Sequence, residues 1–374
     1  MYYVKRTIHA VGQGAFFTEE FYNDNGFKYC VMYDCGSNTK GQPRKAVDDF
    51  MINCQHVDVL FISHFDSDHI NGIQYLIGKR VIDKKTYVVL PFKYPKLLMV
   101  FDELIGDIIQ SLISVDANLI GIYQISGDNV FGNSQGEPKV INDISEIKIG
   151  DRITLRDLDS WLYVPLMTHD STDGKALEEF ENLISNSGLD VNKLNELEYV
   201  EQNLALIKDL YMEVRKLSSS RTSKINMNSL LVLSYPSEAK EVWLKSNWDE
   251  RHHYYFRDCY YHYLRESDVA SCLYTGDTGF DNIYAFNVIM KDVHQFCDHP
   301  LGLLQIPHHG SIKNYHQDIA LMHDEDYLIA FTNYDPKKKV FSSFVKHDLW
   351  FHEVPFITVT DDSYTTFAQL IRVK

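Results

Sequence analysis

Residues 57–73, VDVLFISHFDSDHINGI, join a strand-length apolar run to a cluster of titratable groups. The run VDVLFI is rich in β-branched and large apolar residues, which indicates a buried strand. His64, Asp66, Asp68 and His69 follow at once, and such groups are costly to remove from water unless they share a partner. The loop therefore either faces solvent, with a local role such as capping the next helix, or gathers its side chains around a metal ion.

The other long apolar runs have the same strand length, and helical patterns lie between them. Examples of the runs are VMY, YVVLPF and LLVL, and amphipathic spacing indicates helices near 43–54 and 97–113. The tetrapeptide NDNG at 23–26, between two aromatic-rich runs, indicates a β-hairpin. Strands outnumber helices and there is no internal repeat. The pattern predicts an α/β sandwich with sheets inside and helices outside.

The 374 residues are interpreted as a single domain, 1–374, with two additions to a minimal fold. Residues 172–222 are dominated by charged residues and helix formers with apolar residues at helical spacing, so we expect a helical insertion there. Residues 238–268, which include YYFRDCYYHYLRE, form an aromatic-rich insertion.

Composition limits the cellular setting. The six cysteines show no CxxC pair and no dense spacing, so they are expected to be reduced thiols. No apolar run reaches the roughly 18–20 residues that span a bilayer, and the start of the chain shows no signal-peptide pattern, so we expect a cytoplasmic protein that does not enter a membrane. The net charge of −16 argues against a general nucleic-acid coat. It is compatible with a nuclease in which metals and local lysines supply positive charge.

Two more strand-like runs end in polar groups that bear chemistry. SCLYT ends in Gly276 and Asp277, which alone would indicate a turn. LLQIP ends in His308 and His309, an unusual pair after an apolar strand, although an isolated pair is a weak signal. Open α/β sheets assemble their sites at the carboxyl ends of strands. Together with residues 64–69, these groups would supply two metal sites that share one bridging carboxylate. The first site takes His64, Asp66 and Asp277, and the second takes Asp68, His69, Asp277 and His309.

Six elements in order resemble the metallo-β-lactamase fold superfamily, most closely the metallo-β-lactamase-like domain of the bacterial late-competence DNA-uptake protein. The H-x-D-x-D-H motif of that branch is matched by HFDSDH, its V-G-Q-G by residues 11–14 and its D-C-G by residues 34–36. Its N-x-N-S element is matched by Asn226, Asn228 and Ser229. T-G-D is matched by 275–277 and P-H-H-G-S by 307–311. The resemblance implies an αββα sandwich with inserted helices and a dinuclear site at one edge of its two sheets.

The sequence departs from that branch in three ways. Ala10 and Ala15 stand where acidic residues usually flank V-G-Q-G. The third-motif histidine of the superfamily is missing, and the N-x-N-S element occupies its region, so the first metal site is short of ligands. The channel-forming membrane part of the uptake protein is absent from this sequence, so the resemblance does not extend to DNA uptake.

The resemblance also implies a chemistry. The ligand set is rich in oxygen, so two divalent ions, Zn²⁺ or Mn²⁺, are expected. Such ions suit hydrolysis of a phosphodiester, with a hydroxide held by the metals as the attacking group and Asp68 orienting it. His309 is preferred to His308 as the ligand, which leaves His308 to donate a proton to the leaving oxygen. Asn228 and Ser311 are candidate phosphate contacts, and Asp34 is a candidate support for a ligand histidine.

These expectations favour a metal-dependent hydrolase, foremost a nuclease or phosphodiesterase acting on DNA or RNA. One alternative is a hydrolase of a small or cyclic nucleotide, which a chain of net charge −16 tolerates better than a polymer. Another is an interaction protein, regulated by a protein partner or inactive, that docks through the inserted segments. A role in a multi-protein defence system against foreign DNA rests on analogy alone.

Overall fold

The computed structural model describes residues 2–100, 103–123, 136–158, 160–168, 171–217, 229–237, 242–246, 270–280, 283–297, 300–338 and 340–373. Of residues 242–246 it describes the backbone.

Strands account for most of the regular structure along the chain, and many of them are short. In order they are β1 (Tyr2–Ile8), β2 (Phe16–Asn23), β3 (Gly26–Cys35), β4 (Val59–Phe61), β5 (Tyr87–Leu90), β6 (Asn118–Tyr123), β7 (Lys139–Val140), β8 (Glu146–Lys148), β9 (Ile153–Thr154), β10 (Trp161–Leu166), β11 (Leu231–Pro236), β12 (Val242–Ser246), β13 (Cys272–Tyr274), β14 (Leu301–Gln305), β15 (Tyr327–Asn333), β16 (Phe356–Val359) and β17 (Phe367–Val373).

Helices recur between the strands. In order they are α1 (Arg44–Met51), α2 (Ser67–Ile70), α3 (Ile73–Gly78), α4 (Glu103–Ser114), α5 (Ser171–Asn186), α6 (Leu197–Gln202), α7 (Leu204–Leu217), α8 (Ile283–Phe296), α9 (Asp318–Leu321), α10 (His323–Asp326) and α11 (Ser343–Phe351). Among the described residues, no helix combines the length and the apolar character needed to cross a bilayer.

The strands form two mixed sheets. Within the described residues, the first sheet has the order β12-β17-β1-β2-β3-β4-β5-β6-β8 and the second has the order β16-β15-β14-β13-β11-β10-β9-β7. The hairpin predicted at 23–26 is confirmed, because β2 and β3 pair antiparallel and Asn23 lies opposite Gly26. From β3 through β5 the first sheet is parallel, and from β13 through β16 the second sheet is parallel. These two parallel regions therefore have their carboxyl ends available for loops that carry chemistry.

Three apolar clusters define four layers. One lies between the sheets and combines residues of both, such as Phe17 of β2 with Tyr274 of β13. A second joins the outer face of the first sheet to α1, α3, α4, α5 and α7. The third joins the outer face of the second sheet to α8, α9 and α11. The predicted αββα sandwich is confirmed, since each sheet buries one face against the other sheet and one face against helices.

A buried ion pair lies within the core between the sheets. Arg6 Nε of β1 donates to Glu19 Oε1 of β2 at 2.8 Å, and both side chains are almost completely buried. Glu19 also accepts hydrogen bonds from three hydroxyls of the second sheet, those of Tyr163, Ser234 and Tyr274. Because it bonds to three strands of the opposite sheet, this carboxylate fixes how the two sheets face each other.

One predicted helix has different bounds in the structure, and one helix was not predicted. The helix predicted over 97–113 is split, because a 3₁₀ turn occupies Pro95–Val100 and α4 begins at Glu103. The helix α8 was not predicted, although Phe286, Ile289 and Val293 form its buried face at helical spacing.

The structure describes most of the first predicted insertion and, of the second, the backbone of one strand. Residues 172–222 contain α6, α7 and nearly all of α5, which belong to the apolar cluster outside the first sheet. Helix α6 contacts the 3₁₀ turn before α4, and Glu181 of α5 accepts from Lys93 Nζ at 2.7 Å. Residues 218–222 lie outside the described residues, as does 238–268 apart from the backbone of β12.

Candidate metal centre

The candidate site forms where β4, β13 and β14 end at one edge of the sandwich. Residues 63–69 follow β4, residues 275–277 follow β13, and residues 307–310 follow β14. The two sheets approach closely at this edge, where Gly276 has φ +55° and a Cβ there would lie 2.8 Å from the Cβ of Ser63. Gly36, after β3, is equally confined, because a Cβ there would lie 2.5 Å from the carbonyl carbon of Asp68. Only glycine permits these two contacts, which bring loops distant in sequence together.

Asp277 lies at the centre of the site. Its Oδ1 lies 3.1 Å from His69 Nε2 and 4.0 Å from His309 Nε2. Its Oδ2 lies 3.6 Å from His64 Nε2 and 3.4 Å from His308 Nε2. One carboxylate therefore contacts four imidazoles, an arrangement that suits a ligand shared between two cations.

Hydrogen bonds at the outer nitrogens fix the tautomers of His64 and His69. His69 Nδ1 lies 2.7 Å from Asp34 Oδ2, and a fully buried carboxylate can only accept there, so Nδ1 carries the proton. Ser63 Oγ donates to the same Asp34 oxygen at 2.6 Å, so its own oxygen accepts from His64 Nδ1 at 2.9 Å. Both rings thus carry a proton on Nδ1 and turn Nε2 toward Asp277, so that Nε2 is the nitrogen left to bind a metal.

His309 is oriented in the same way from the other sheet. Its Nδ1 donates to the main-chain oxygen of Asn333 at 3.2 Å, which leaves Nε2 as a lone pair 3.3 Å from Asp68 Oδ2. His309 and its neighbour His308 have φ values of +54° and +48°. Backbone strain of this kind in non-glycine residues persists where the surrounding structure over-determines it, and it clusters at functional sites.

His308 differs from the other three histidines, since 39% of its side chain is exposed. Asn314 Nδ2 donates to the main-chain oxygen of Asp277 at 3.0 Å, so the amide oxygen of Asn314 faces His308 Nδ1 at 2.6 Å and accepts its proton. The Nε2 of His308 is therefore the nitrogen that faces Asp277 and solvent, where it could exchange a proton with a bound molecule.

The donor atoms fit divalent cations. They form two groups, His64 with His69 and Asp277, and Asp68 with His69 and His309, and the atoms of each group lie within 4.8 Å of one another. The Nε2 atoms of the three buried histidines and Asp277 Oδ1 are buried and form no hydrogen bond within the described part of the chain. Buried polar atoms without hydrogen bonds are rare and call for an explanation. A cation between the lone pairs and the carboxylates would satisfy all of them, since imidazole and carboxylate are ligands for Zn²⁺ and Mn²⁺.

The electrostatics agree with a site made for positive charge. Burial would raise the pKa of Asp277, but His69, His309 and His64 outweigh it and hold that pKa well below its usual range. For Asp68, contacts with His309 and His69 likewise outweigh burial and lower the pKa to about 2. Burial would lower the pKa of His69, but Asp277 and Asp34 raise it well above its ordinary value.

His64 shifts the other way. Its burial, followed by the nearby charge of His69, lowers its pKa to about 4. In the absence of a cation, the raised pKa thus favours a positively charged His69 beside Asp277, while the lowered pKa keeps His64 neutral.

Of the remaining predicted site residues, two lie beside the donor groups and one lies outside the described residues. Asp66 lies outside both groups and 59% of its side chain is exposed, with Oδ2 3.7 Å from His64 Nε2. Ser311 is half-buried and begins the turn after His309, where its Oγ accepts from the main-chain nitrogen of Lys313. Asn228 lies outside the described residues.

Several residues that organise the site were not predicted from the sequence. Ser63 joins Asp34 to His64, and Ser229 Oγ accepts from the main-chain nitrogen of Asp277 at 3.0 Å while lying 3.4 Å from His64 Nδ1. Asn314 and Asn333 orient His308 and His309. The sequence does place Ser63 directly before His64, but it does not show which groups the hydroxyl of Ser63 bonds to in the folded protein.

Comparisons with known proteins bear on the fold. No protein-family model and no curated protein matches the sequence. Among solved structures, the chain is similar to the metallo-β-lactamase fold protein YhfI from Bacillus subtilis, with 9% identity and a TM-score of 0.40 over 96% of this chain and 97% of that one. It is also similar to a long form of RNase Z from yeast, with 11% identity and a TM-score of 0.38 over 100% of this chain and 42% of that one. The layers and strand order described above, rather than these distant similarities, carry the description of the fold.

Proposed function

We propose that the protein is a metal-dependent hydrolase of phosphodiesters, with DNA or RNA as its substrate. Two divalent cations, Zn²⁺ or Mn²⁺, would be held by His64, His69, Asp277, Asp68 and His309, with Asp66 as a further ligand on the exposed side of His64. Bound cations of this kind lower the pKa of a water and neutralise charge on a phosphate.

The observation that carries the proposal is the shared direction of three buried lone pairs. Asp34, Ser63 and Asn333 accept hydrogen bonds from the outer nitrogens of the ligand histidines, so that the inner nitrogen, Nε2, of each ring faces a carboxylate and is the atom left to bind a cation. Lone pairs and carboxylates repel one another, and holding them together in a buried site is unfavourable unless a cation lies between them.

The residues of the chain have distinct tasks in this proposal. Asp68, at the start of α2, would orient the attacking water by accepting its hydrogen bond. His308 Nε2, at the exposed side of Asp277, would donate a proton to the leaving oxygen. Ser311 would donate its hydroxyl to a nonbridging phosphate oxygen beside the turn that holds His309.

A second candidate substrate is a small or cyclic nucleotide. The observation that favours it is the net charge of −16, which opposes the approach of a long polyanion. The two candidates share the metal centre and differ in what lies around it.

Metal content and cleavage test the proposal together. We expect purified protein, loaded in Zn²⁺ or Mn²⁺, to retain metal by mass spectrometry and to cleave labelled single- or double-stranded DNA or RNA. Asp277→Asn should reduce both, because the carboxylate contacts all four histidines. Asp68→Ala combined with His69→Ala provides a second variant at the predicted ligands.

The matched control is Asp326→Asn. Asp326 pairs with His294 at 3.2 Å and lies just before β15, at the opposite edge of the second sheet. It should leave metal content and cleavage unchanged. Protein that retains no metal under metal-replete conditions would contradict the metal centre, whereas metal with cleavage of cyclic nucleotides alone would favour the second candidate.

A further inference from the structure

The rim of the site on the side of His309 carries three exposed lysines. Lys313 lies in the turn Ile312–Asn314 after β14, and Lys337 and Lys338 lie in the loop after β15. We call these three residues the basic rim. We propose that it binds the phosphate backbone of a polynucleotide and leads it to the metal centre; this inference rests on the proposed phosphodiesterase function.

The charge of these loops is opposite to that of the whole chain. The sequence contains 52 acidic and 36 basic residues, yet residues 306–317 contain no aspartate or glutamate and residues 334–347 contain one, Asp335, whose carboxylate accepts from the main-chain nitrogen of Lys337. None of the three ammonium groups pairs with a carboxylate in the described parts of the chain, whereas Lys5, Lys93 and other lysines do. Unpaired lysines on an acidic protein produce a local positive potential that a polyanion can find.

Main-chain contacts fix the basic rim next to the metal ligands. Asn333, the last residue of β15, accepts from His309 Nδ1, and the loop that contains Lys337 and Lys338 follows it. At the far end of that loop the main-chain nitrogen of Ser342 donates to the oxygen of Gly310 at 3.1 Å. The loop is thus anchored to the His309 turn at both ends.

The lysine turn is also held in shape. The main-chain nitrogen of Lys337 donates to Asp335 Oδ1 at 2.9 Å, and Lys338 Nζ donates to the main-chain oxygen of Asn38 at 3.1 Å. Asn38 belongs to the loop after β3, three residues past the end of that strand. The basic rim therefore extends from the His309 turn toward the loop that follows β3, the strand whose Asp34 supports His69.

A second lysine pair provides a matched control. Lys84 and Lys85 are exposed and lie in a similar turn, in which the main-chain nitrogen of Lys85 donates to Asp83 Oδ1 at 2.8 Å. This turn precedes β5, which is parallel to β4, so it lies at the edge opposite to the metal centre. Lys84→Gln with Lys85→Gln removes the same charge from the same type of turn.

The experiment measures binding of labelled single-stranded RNA and DNA probes by fluorescence anisotropy as salt is varied, with probes of about 20 nucleotides, longer than a site of ~4–16 nucleotides. Lys337→Gln with Lys338→Gln should reduce the steepness of the plot of log K against log salt concentration by about 0.7 for each lost phosphate contact. For two lost contacts this corresponds to about 25-fold weaker binding near 0.1 M salt. The Lys84 and Lys85 variant should bind both probes as the unaltered protein does. Comparison of the two probes identifies whether the basic rim binds the backbone of RNA or of DNA more strongly.

Cleavage kinetics separate this inference from the function on which it rests. The ratio of kcat/KM for the long probe to that for a dinucleotide should fall in the Lys337 and Lys338 variant. Equal losses in both lysine pairs, no loss in either, or binding to anionic lipid vesicles in preference to both probes would overturn the basic rim as a polynucleotide site. If the unaltered metal-loaded protein fails to hydrolyse bis(p-nitrophenyl) phosphate and every nucleotide tested, the proposed function fails instead, whatever the probes show.

Discussion

Asp34→Asn tests whether the fully buried carboxylate of Asp34 sets the tautomer of His69. Asp34 Oδ1 accepts from the main-chain nitrogen of Ser63 at 2.7 Å, and Oδ2 accepts from Ser63 Oγ and from His69 Nδ1. Asparagine has the same shape and tolerates the left-handed backbone at this position, where φ is +55°. The substitution therefore changes hydrogen bonding with little change in volume.

Either orientation of the new amide disturbs the site. If its oxygen faces the Ser63 nitrogen, its NH₂ group faces His69 Nδ1, and the imidazole must accept there and carry its proton on Nε2, the nitrogen needed for the metal. If the amide is flipped, its NH₂ group opposes the buried N–H of Ser63. Loss of such a supporting partner weakens metal binding by about 10–100-fold, equivalent to about 1.4–2.7 kcal/mol.

The assay is competition for Zn²⁺ and Mn²⁺ against a chromophoric chelator, with thermal unfolding followed by circular dichroism to verify the fold. The control is Asp58→Asn, because Asp58 Oδ2 also accepts a main-chain N–H, that of Cys30 at 2.8 Å, away from the site. We expect Asp58→Asn to leave metal affinity unchanged. A folded Asp34→Asn protein with the metal affinity of the unaltered protein would refute the claim that Asp34 sets the tautomer of His69.

Three further predictions concern proton release and stability. Because Asp277 and Asp34 raise the pKa of His69, metal binding near neutral pH should release about one proton per protein; calorimetry in buffers of different ionisation enthalpy measures it, and heats independent of buffer would contradict it. Glu19→Gln leaves Arg6 buried without its counter-charge and should lower the free energy of unfolding in urea by about 3–5 kcal/mol, against about 1 kcal/mol for Glu20→Gln, since the lysine that pairs with Glu20 is 34% exposed. Equal losses of unfolding free energy in the two variants would show that burial of the Arg6–Glu19 pair does not increase the cost of removing one partner. Burial, with a smaller effect of a nearby lysine, lowers the pKa of His9 to about 3, so the unfolded chain binds the proton first as pH falls below about 6.5. The unaltered protein should then lose about 1.4 kcal/mol per pH unit more than His9→Gln between those two pKa values, and parallel stability curves for the two proteins would be inconsistent with it.

Much of the architecture follows from local patterns. The apolar runs of residues 57–62 and 301–306 have strand length and β-branched or large side chains, and both contain buried strands of the sandwich. The hairpin at 23–26 likewise needs only its turn chemistry. The split of 97–113 into a 3₁₀ turn and α4 was not predictable in this way, since apolar spacing alone does not determine where a helix begins.

The candidate site was predictable as a set of residues at strand ends, but not as an arrangement. More than two hundred residues separate His64 from Asp277 along the sequence. The pattern that marks each as following a strand does not show how close the two side chains lie in the folded protein. The assignment of His69 to the second site only, and of Asp66 to the first, came from the order in which these groups follow the strands along the sequence. In the structure His69 belongs to both donor groups and Asp66 to neither.

The sequence by itself determined the alternation of strands and helices and the types of donor that follow three of the strands. These features depend on side-chain chemistry and on periodicity, which act over a few residues. The tertiary structure alone decided which nitrogen of each histidine carries its proton and which histidine of the pair 308–309 is buried. It also decided that the lysines after β14 and β15 share one rim. The physical reason is that these properties depend on hydrogen bonds and burial between loops that only the pairing of the two sheets brings together.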